Sequence, residues 1–280
     1  MNAITSKIID CFLFFNELDL LKLRLIETYD IVDYFILVES SVTFSGINKD
    51  FIFEKNKDMF KIFLDKIIHV KVYDTPNTNN PWEREIFQRD CILRGINTLQ
   101  LNDNDILFIT DCDEIINKKL LMYVKTHNLA YNIYSLNMDV YYYDFIYKSN
   151  ENWASKVKLL KFKILSGKNS RVTPTIIRYT EAKEFPIKGG WHFTFFGGIK
   201  NIQEKLRGFS HQEYNTNYIN NKEYLNYCKE IQKDLFDRNI TIKKIDIQNN
   251  IFLPEYIKEK NIKNIYIKNG KNSTNNSICI

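Results

Sequence analysis

Between Ile8 and Thr110, short apolar runs rich in β-formers alternate with helical patterns, and this alternation restricts the fold more than any other feature of the chain. Ile8 to Phe15 predicts a strand. Asn16 is then placed to cap a helix in which Leu18, Leu21, Leu25 and Tyr29 recur at helical spacing. Tyr34 to Glu39 predicts a second strand, and Lys66 to Tyr73 a third that ends in the turn-rich Asp74-Thr75-Pro76-Asn77. Trp82 to Leu99 predicts a helix with Ile92, Ile96 and Leu99 on one face, and Asp105 to Thr110 a fourth strand. Strands separated by helices form a mostly parallel sheet, because each crossover helix must lie over a sheet face. In such sheets ligands sit at the carboxyl ends of the strands. Glu17, Glu39 and Asp111 follow or close three of these strands and are expected on one rim.

The second half differs. Ile133 to Tyr143, Lys156 to Ile164, Thr175 to Tyr179 and Trp191 to Phe196 read as strands without long helices between them, so an α/β half is expected to precede a mixed one. Ile199 to Phe209 and Glu223 to Phe236 read as helices, and the stripe Tyr224, Cys228, Ile231, Leu235 reads as core packing. The expected division is a main domain over residues 1–215, a helical extension over 216–262 packed on it, and a tail over 263–280 with too little apolar content to pack. With 280 residues, 44% of them hydrophobic, the chain can bury one large core. Its net charge of +5 comes from scattered Lys and Arg, which excludes a dedicated nucleic-acid surface. Cys11, Cys91, Cys112, Cys228 and Cys279 form no C-x-x-C pair, so reduced thiols are expected rather than a disulfide framework or a zinc knuckle. No signal peptide or membrane-spanning run fits the sequence, and a cytoplasmic location is the default expectation.

The chemistry concentrates where Ile106-Leu107-Phe108-Ile109-Thr110 leads into Asp111-Cys112-Asp113-Glu114. A buried strand that delivers clustered carboxylates to a rim is costly unless a cation neutralises them, and Mn²⁺ or Mg²⁺ shared with substrate phosphates is the expected one. A solvated acidic turn leading into a helix near Ile115 is the plainer alternative. Two chemistries suit an apolar strand ending in Asp-x-Asp: transfer from a nucleotide sugar, with metal on the diphosphate, or phosphate-ester hydrolysis, with the first Asp as nucleophile. The phosphatase pattern normally lies on the first strand with Thr or Val two residues after the second Asp. Here the motif follows the fourth strand and continues Glu114-Ile115, which favours transfer.

Two further groups are candidates. Gly189-Gly190-Trp191-His192-Phe193 with Phe195-Phe196-Gly197-Gly198 sets glycine pairs around an aromatic strand suited to sugar stacking, with His192 as metal ligand, phosphate donor or simply a hydrogen-bonded core residue; His211, beside Gln212 and Glu213, is in the same position. Trp82-Glu83-Arg84-Glu85 and Gln88-Arg89-Asp90 precede the acidic strand, where surface ion pairs are the alternative reading.

Taken in order, Asp10-Cys11-Phe12, Phe15-Asn16-Glu17-Leu18-Asp19-Leu20-Leu21 with Arg24, Val32-Asp33-Tyr34-Phe35, Val38-Glu39-Ser40 with Thr43 and Gly46, Gln88-Arg89-Asp90, Ile109 to Ile115, and Gly190-Trp191-His192 with Lys205-Leu206 resemble glycosyltransferase family 17. This is the family of the β-1,4-mannosyl-glycoprotein N-acetylglucosaminyltransferase, which adds bisecting GlcNAc to N-glycans. The resemblance runs from about Ile8 to about Tyr214. It implies a GT-A type fold, a UDP-sugar donor, expected to be UDP-GlcNAc, and inversion at the anomeric carbon. It further implies that Asn16, Glu17 and Glu39 line the nucleotide pocket with support from Arg89 and Asp90, that Asp111, Asp113 and Glu114 hold metal and donor, and that His192 belongs to the site as a metal ligand. Without the membrane anchor and stem of the eukaryotic enzymes, the expected acceptor is a microbial or viral surface glycan built in the cytoplasm, not a protein N-glycan. The general base is sought in the second half, among Glu184, Glu213, Asp139 and Asp144. A sugar-nucleotide or glycan-binding protein that kept the fold without the catalysis is the alternative from another class.

Overall fold

The computed structural model describes residues 6–166, 171–247, 250 and 252–259. The first half builds β1 (Ile8–Phe14), α1 (Leu18–Thr28), β2 (Tyr34–Ser40), α2 (Ile52–Lys55), β3 (Ile67–Val72), α3 (Pro81–Asp90), α4 (Ile92–Ile96) and β4 (Ile106–Asp111). These are followed by β5 (Glu114–Ile116), α5 (Lys118–Thr126), β6 (Ile133–Ser135), β7 (Met138–Tyr142), β8 (Tyr147–Trp153), β9 (Lys158–Lys161), α6 (Pro174–Tyr179) and β10 (Gly190–Thr194). The C-terminal part adds α7 (Ile199–Gly208), α8 (Lys222–Glu230), β11 (Ile242–Lys244) and α9 (Glu255–Glu259).

Two sheets result, ordered β3-β2-β1-β4-β9-β6 and β11-β8-β7-β10-β5. In the first, β3, β2, β1 and β4 run parallel and β9 pairs antiparallel with β4. Burial on both faces explains the near-continuous apolar strands. In β1, Ile8, Phe12 and Phe14 pack with Leu21 and Leu25 of α1 and with α5, whereas Ile9, Cys11 and Leu13 pack with Ile92 and Ile96 of α4 on the other face. Asp10 lies on the α1 face and is 1% exposed, a burial explained by its partner in the site.

The chain steps outward from β1 to β3 and returns to β4 on the other side of β1. That reversal opens a crevice at the carboxyl ends of β1 and β4, the place where ligands bind in sheets of this kind. Only Cys112 and Asp113 separate β4 from β5, so the acidic turn is also the point where the chain leaves the first sheet for the second. β5 pairs antiparallel with β10, Glu114 opposite His192. Gly190 permits this approach: a Cβ there would stand 2.0 Å from the Ile115 carbonyl oxygen, and its φ of +148° suits glycine.

Several sequence expectations are corrected. Thr175 to Tyr179 is helical, not extended, because Thr173 accepts from the Ile176 amide and Pro174 starts the first turn. The expected helix from Trp82 to Leu99 is two helices meeting at Cys91. Asn16 does not cap α1; its carbonyl accepts from Leu18 and its side chain turns to Glu204. Beyond the acidic turn comes β5, and α5 starts only after Asn117, whose side chain accepts from Lys119. The helix from Glu223 stops at Glu230, and Gln232 follows with a positive φ of 58°. The segment 216–262 contributes an edge strand, β11, as well as helices. The described cysteines, Cys11, Cys91, Cys112 and Cys228, are buried free thiols. Cys279 and the tail over 263–280 lie outside the described residues.

Candidate active site

The turn Asp111 to Glu114 is shaped from beneath by Arg24. This guanidinium, fully buried on α1, pairs with Asp10 of β1 through Nε at 2.7 Å and donates to the carbonyls of Asp111 (3.0 Å) and Glu114 (2.9 Å). Burial opposes its charge, but Asp10 more than restores it, so Arg24 stays a cation. The Asp10 and Arg24 of the family-like segments are thus the backbone support of the acidic turn.

The acidic side chains are balanced by the protein's own cations. Asp111 meets Arg89 of α3 at 2.7 Å through Oδ1 and Arg178 of α6 at 2.6 Å through Oδ2. Burial works against its charge, yet the two guanidiniums hold its pKa below the usual range. Asp113 accepts from Lys205 of α7 at 2.6 Å, with His192 Nε2 at 3.6 Å; burial is again outweighed, and its carboxyl is held far below the usual range. Glu114, fully buried, accepts from both terminal nitrogens of Arg178 at 2.9 Å, from Trp153 Nε1 at 2.6 Å and from the Asp111 amide at 2.7 Å. Arg178 and Lys205 are shifted in turn: burial disfavours their charge, and the carboxylates raise both above their ordinary values.

Over this turn opens a cleft of ≈ 670 Å³, within the range of small-molecule sites. Its floor carries Asp111, Asp113, Arg178, His192 and Lys205. The loops after the first-sheet strands and helix α3 contribute Phe15, Val42, Phe44, Gln88 and Arg89, and the second sheet and the C-terminal part contribute Tyr142, Glu151, Trp153, Tyr214, Phe236 and Arg238. Phe195, on the wall beside Lys205, holds a positive φ of 52°, a strained backbone of the kind that collects at functional sites.

The expected nucleotide residues separate. Glu17, Arg89 and Asp111 line the cleft. Glu17 folds back to accept from the amides of Phe15 and Asn16, and burial raises its pKa. Asn16 sits in a small recess beside Glu17, with its amide on Glu204 at 2.9 Å. Glu39 is fully buried and is not part of the cleft wall; it accepts from the Ile52 amide at the start of α2 and from Lys49 and His69. Asp90 accepts from the Thr175 amide at 2.9 Å and so docks α6, the helix that carries Arg178, against α3.

The expected metal ligands do not converge as a set of four. Among the described residues no cluster of three or more His, Cys, Asp or Glu is arranged to hold a metal by itself. Glu114 is spent on Arg178 and Trp153, and His192 is packed against Trp153 with ring centroids 4.4 Å apart. Asp111 and Asp113 do face the cleft, and a hard cation that shares substrate phosphates needs only one or two protein carboxylates. Both carboxylates already accept from Arg89, Arg178 and Lys205, so a cation shared with substrate phosphates would have to be held alongside those partners. The charge cost that pointed to a metal from sequence is met instead by Arg89, Arg178 and Lys205.

None of the expected bases lines the cleft. Glu184 bonds Asn137, Asp139 is held between Lys148 and Lys188, Asp144 accepts from the Phe145 amide, and Glu213 lies exposed beside His211. His211 itself reaches the wall. Sequence reasoning missed Arg178, Glu151 and Trp153. Arg178 was read into a strand, and β8, with the polar sequence YKSNENW, carries little apolar signal.

Among the described residues no helix is long and apolar enough to cross a membrane. A comparison with curated proteins found no match. A sequence model of one protein family, Glycosyltransferase family 17, matches residues 1–261 of the 280. The two-sheet α/β architecture agrees with the GT-A-like fold expected of it, and the phosphatase and binding-only alternatives fall away. With an acidic turn at the switch point of a parallel sheet, under a cleft of substrate size, the chain belongs to glycosyltransferase family 17 and is a glycosyltransferase that joins a sugar donor to an acceptor.

Proposed function

We propose that the protein transfers a sugar, GlcNAc by the family resemblance, from a UDP-sugar to a hydroxyl of a glycan, with inversion and with a divalent cation. The observation that carries this reading is the floor of the cleft, where two carboxylates, Asp111 and Asp113, stand among Arg89, Arg178, Lys205 and His192 at the carboxyl end of β4. A purely acidic floor would repel a diphosphate, and a purely basic one would have no place for a metal. Mn²⁺ or Mg²⁺ bound with the donor would be held by Asp111 and Asp113 and would supply positive charge to the departing diphosphate.

The nucleoside belongs against Phe15, Val42, Phe44 and Gln88, beside the switch point. Lys205 and Arg178, fixed by their carboxylates, are preorganised cations for phosphate oxygens and need little reorganisation as charge moves onto the leaving group. The aromatic wall from the C-terminal part takes the acceptor sugar, whose apolar ring faces suit Tyr214 and Phe236. A cytoplasmic site of action and a surface-glycan acceptor are part of the same proposal.

UDP release from a panel of UDP-sugars with Mn²⁺ and simple glycosides as acceptors tests it, with Asp113→Ala as control. Release from one UDP-sugar that is lost in the control supports the reading. Equal turnover by the control overturns the role of Asp113, and no release from any UDP-sugar overturns the donor class.

A further inference from the structure

We propose that Glu151 is the general base of the transfer, accepting the proton of the acceptor hydroxyl on Oε1. The inference rests on the glycosyl-transfer reading above and deepens it. Among the described residues, Glu17, Glu85, Asp111, Asp113 and Glu151 are the carboxylates on the cleft wall. A base must have an oxygen that is free to accept and that faces the acceptor.

Glu85 and Asp111 are committed through both oxygens, and Glu17 and Asp113, each held through one oxygen, lie together beside Lys205 on the diphosphate side. Glu85 gives Oε1 to Arg89 at 3.0 Å and Oε2 to the Ser210 hydroxyl. Asp111 gives one oxygen to each of two arginines, and Asp113 is gripped by Lys205. Glu17 is folded onto its own loop and shares its recess with Asp113 and Lys205, on the diphosphate side.

Glu151 is held by one oxygen only. Its Oε2 accepts from the Tyr142 hydroxyl at 2.5 Å and from Ser149 Oγ at 3.3 Å. The cation nearest Oε1 is Arg238 Nη1, at 3.9 Å and beyond hydrogen-bond reach. Arg238 is itself occupied, donating to Tyr142 Oη at 2.8 Å and to Asp234 at 2.6 Å. The carboxylate is therefore anchored at one end and open at the other, with 22% of its side chain exposed.

Its position suits the task. Glu151 and Trp153 are two apart on β8 and so share a face; Trp153 bonds Glu114 and packs on His192, which ties the strand to the acidic turn. From the C-terminal part, Tyr214 and Phe236 stack at 4.0 Å with ring planes 18° apart, and both line the cleft as a platform for a sugar ring. In the step itself, the acceptor oxygen attacks the anomeric carbon and forms the new glycosidic bond while its proton passes to Glu151 Oε1. The bond from the anomeric carbon to the phosphate oxygen breaks, and its electron pair leaves with UDP.

The test compares Glu151→Gln and Glu151→Asp with the wild type for UDP binding, read by tryptophan fluorescence, and for UDP release from UDP-GlcNAc with Mn²⁺ and a panel of simple glycosides. Gln keeps an oxygen for Tyr142 but removes the basicity; Asp keeps the charge but withdraws it. The expected result is a fall in kcat of about 100-fold or more for Gln and about 10-fold for Asp, with UDP affinity unchanged. A kcat for Gln within about threefold of wild type overturns Glu151 as base and leaves the transfer reading intact. Loss of UDP binding in both variants assigns Glu151 a structural role and overturns the proposal. If Gln does not fold, Asp decides by the same criteria. Wild-type protein that neither binds nor releases UDP overturns the donor reading, and the proposal with it.

Discussion

Arg178 grips Asp111 at 2.6 Å and Glu114 at 2.9 Å, so one guanidinium balances two carboxylates of a single four-residue turn. Because Glu114 is fully buried, this pairing is a condition of folding. Removing one partner of a buried pair leaves the other charge without compensation, which typically costs about 3–5 kcal/mol. Arg178→Ala should lower unfolding stability by about that much in urea melts, and Arg178→Lys, which cannot fork between the two carboxylates, should recover only part of it.

Asp113 supports less of the fold and more of the chemistry. Asp113 is 4% exposed and paired with Lys205 at 2.6 Å, but Lys205 keeps 26% of its side chain exposed, so Asp113→Asn should lower the melting midpoint by less than Arg178→Ala does. UDP release should fall by about 100-fold or more, measured at saturating donor.

Metal removal should separate chemistry from stability. Since Arg89, Arg178 and Lys205 already balance the acidic turn, EDTA should abolish UDP release without shifting Tm in the absence of donor. Restoration by Mn²⁺ or Mg²⁺ is the check. A large fall in Tm on chelation alone would mean that the metal, not the guanidiniums, holds the turn together.

Glu27 on α1 supplies a pH dependence remote from the cleft. It is 5% exposed against α9, where it accepts from the Glu255 amide at 3.4 Å, and burial pushes its pKa from 4.5 up to about 7. A carboxyl raised in the folded state contributes stability that is complete below the unfolded pKa and is lost as pH rises through the folded one. Stability should therefore decline between about pH 5 and pH 8 by an amount on the order of 1–3 kcal/mol. Glu27→Gln should flatten that decline in melts collected across the same range.

The first half of the fold could be read because buried parallel strands are apolar on both faces and so stand out as runs; β1 to β4 fall within a residue or so of their expected limits. The second half was less readable. β8 pairs on both sides yet keeps a polar sequence, because its side chains serve the cleft (Glu151, Trp153) or solvent instead of a core. The short stretch Thr175 to Tyr179 has β-like composition, and only the Thr173 cap and Pro174 turn it helical.

The acidic turn was found from sequence, but its partners were not. Arg89 could be named because it lies in a segment shared with the family. Lys205 lies in such a segment too, but its role does not show, because it reaches Asp113 from 92 residues downstream; Arg178, 67 residues beyond Asp111, lies outside all of them. The general base is sought from sequence near the Gly-Trp-His segment, whereas the carboxylate proposed for it lies on β8, which runs beside that segment's neighbour β7 and has a polar sequence with little apolar signal.

The two-residue passage from β4 to β5 has a consequence for how the chain can vary. Because strand side chains alternate, an insertion or deletion of one residue between Asp111 and Glu114 would turn Glu114 and Ile116 to the opposite face and slip β5 against β10. Donor floor and acceptor wall would lose alignment together. A substitution in this turn acts on one side chain, but a change in its length acts on every residue beyond it: the spacing of the four residues is the gauge that keeps the two sheets in step.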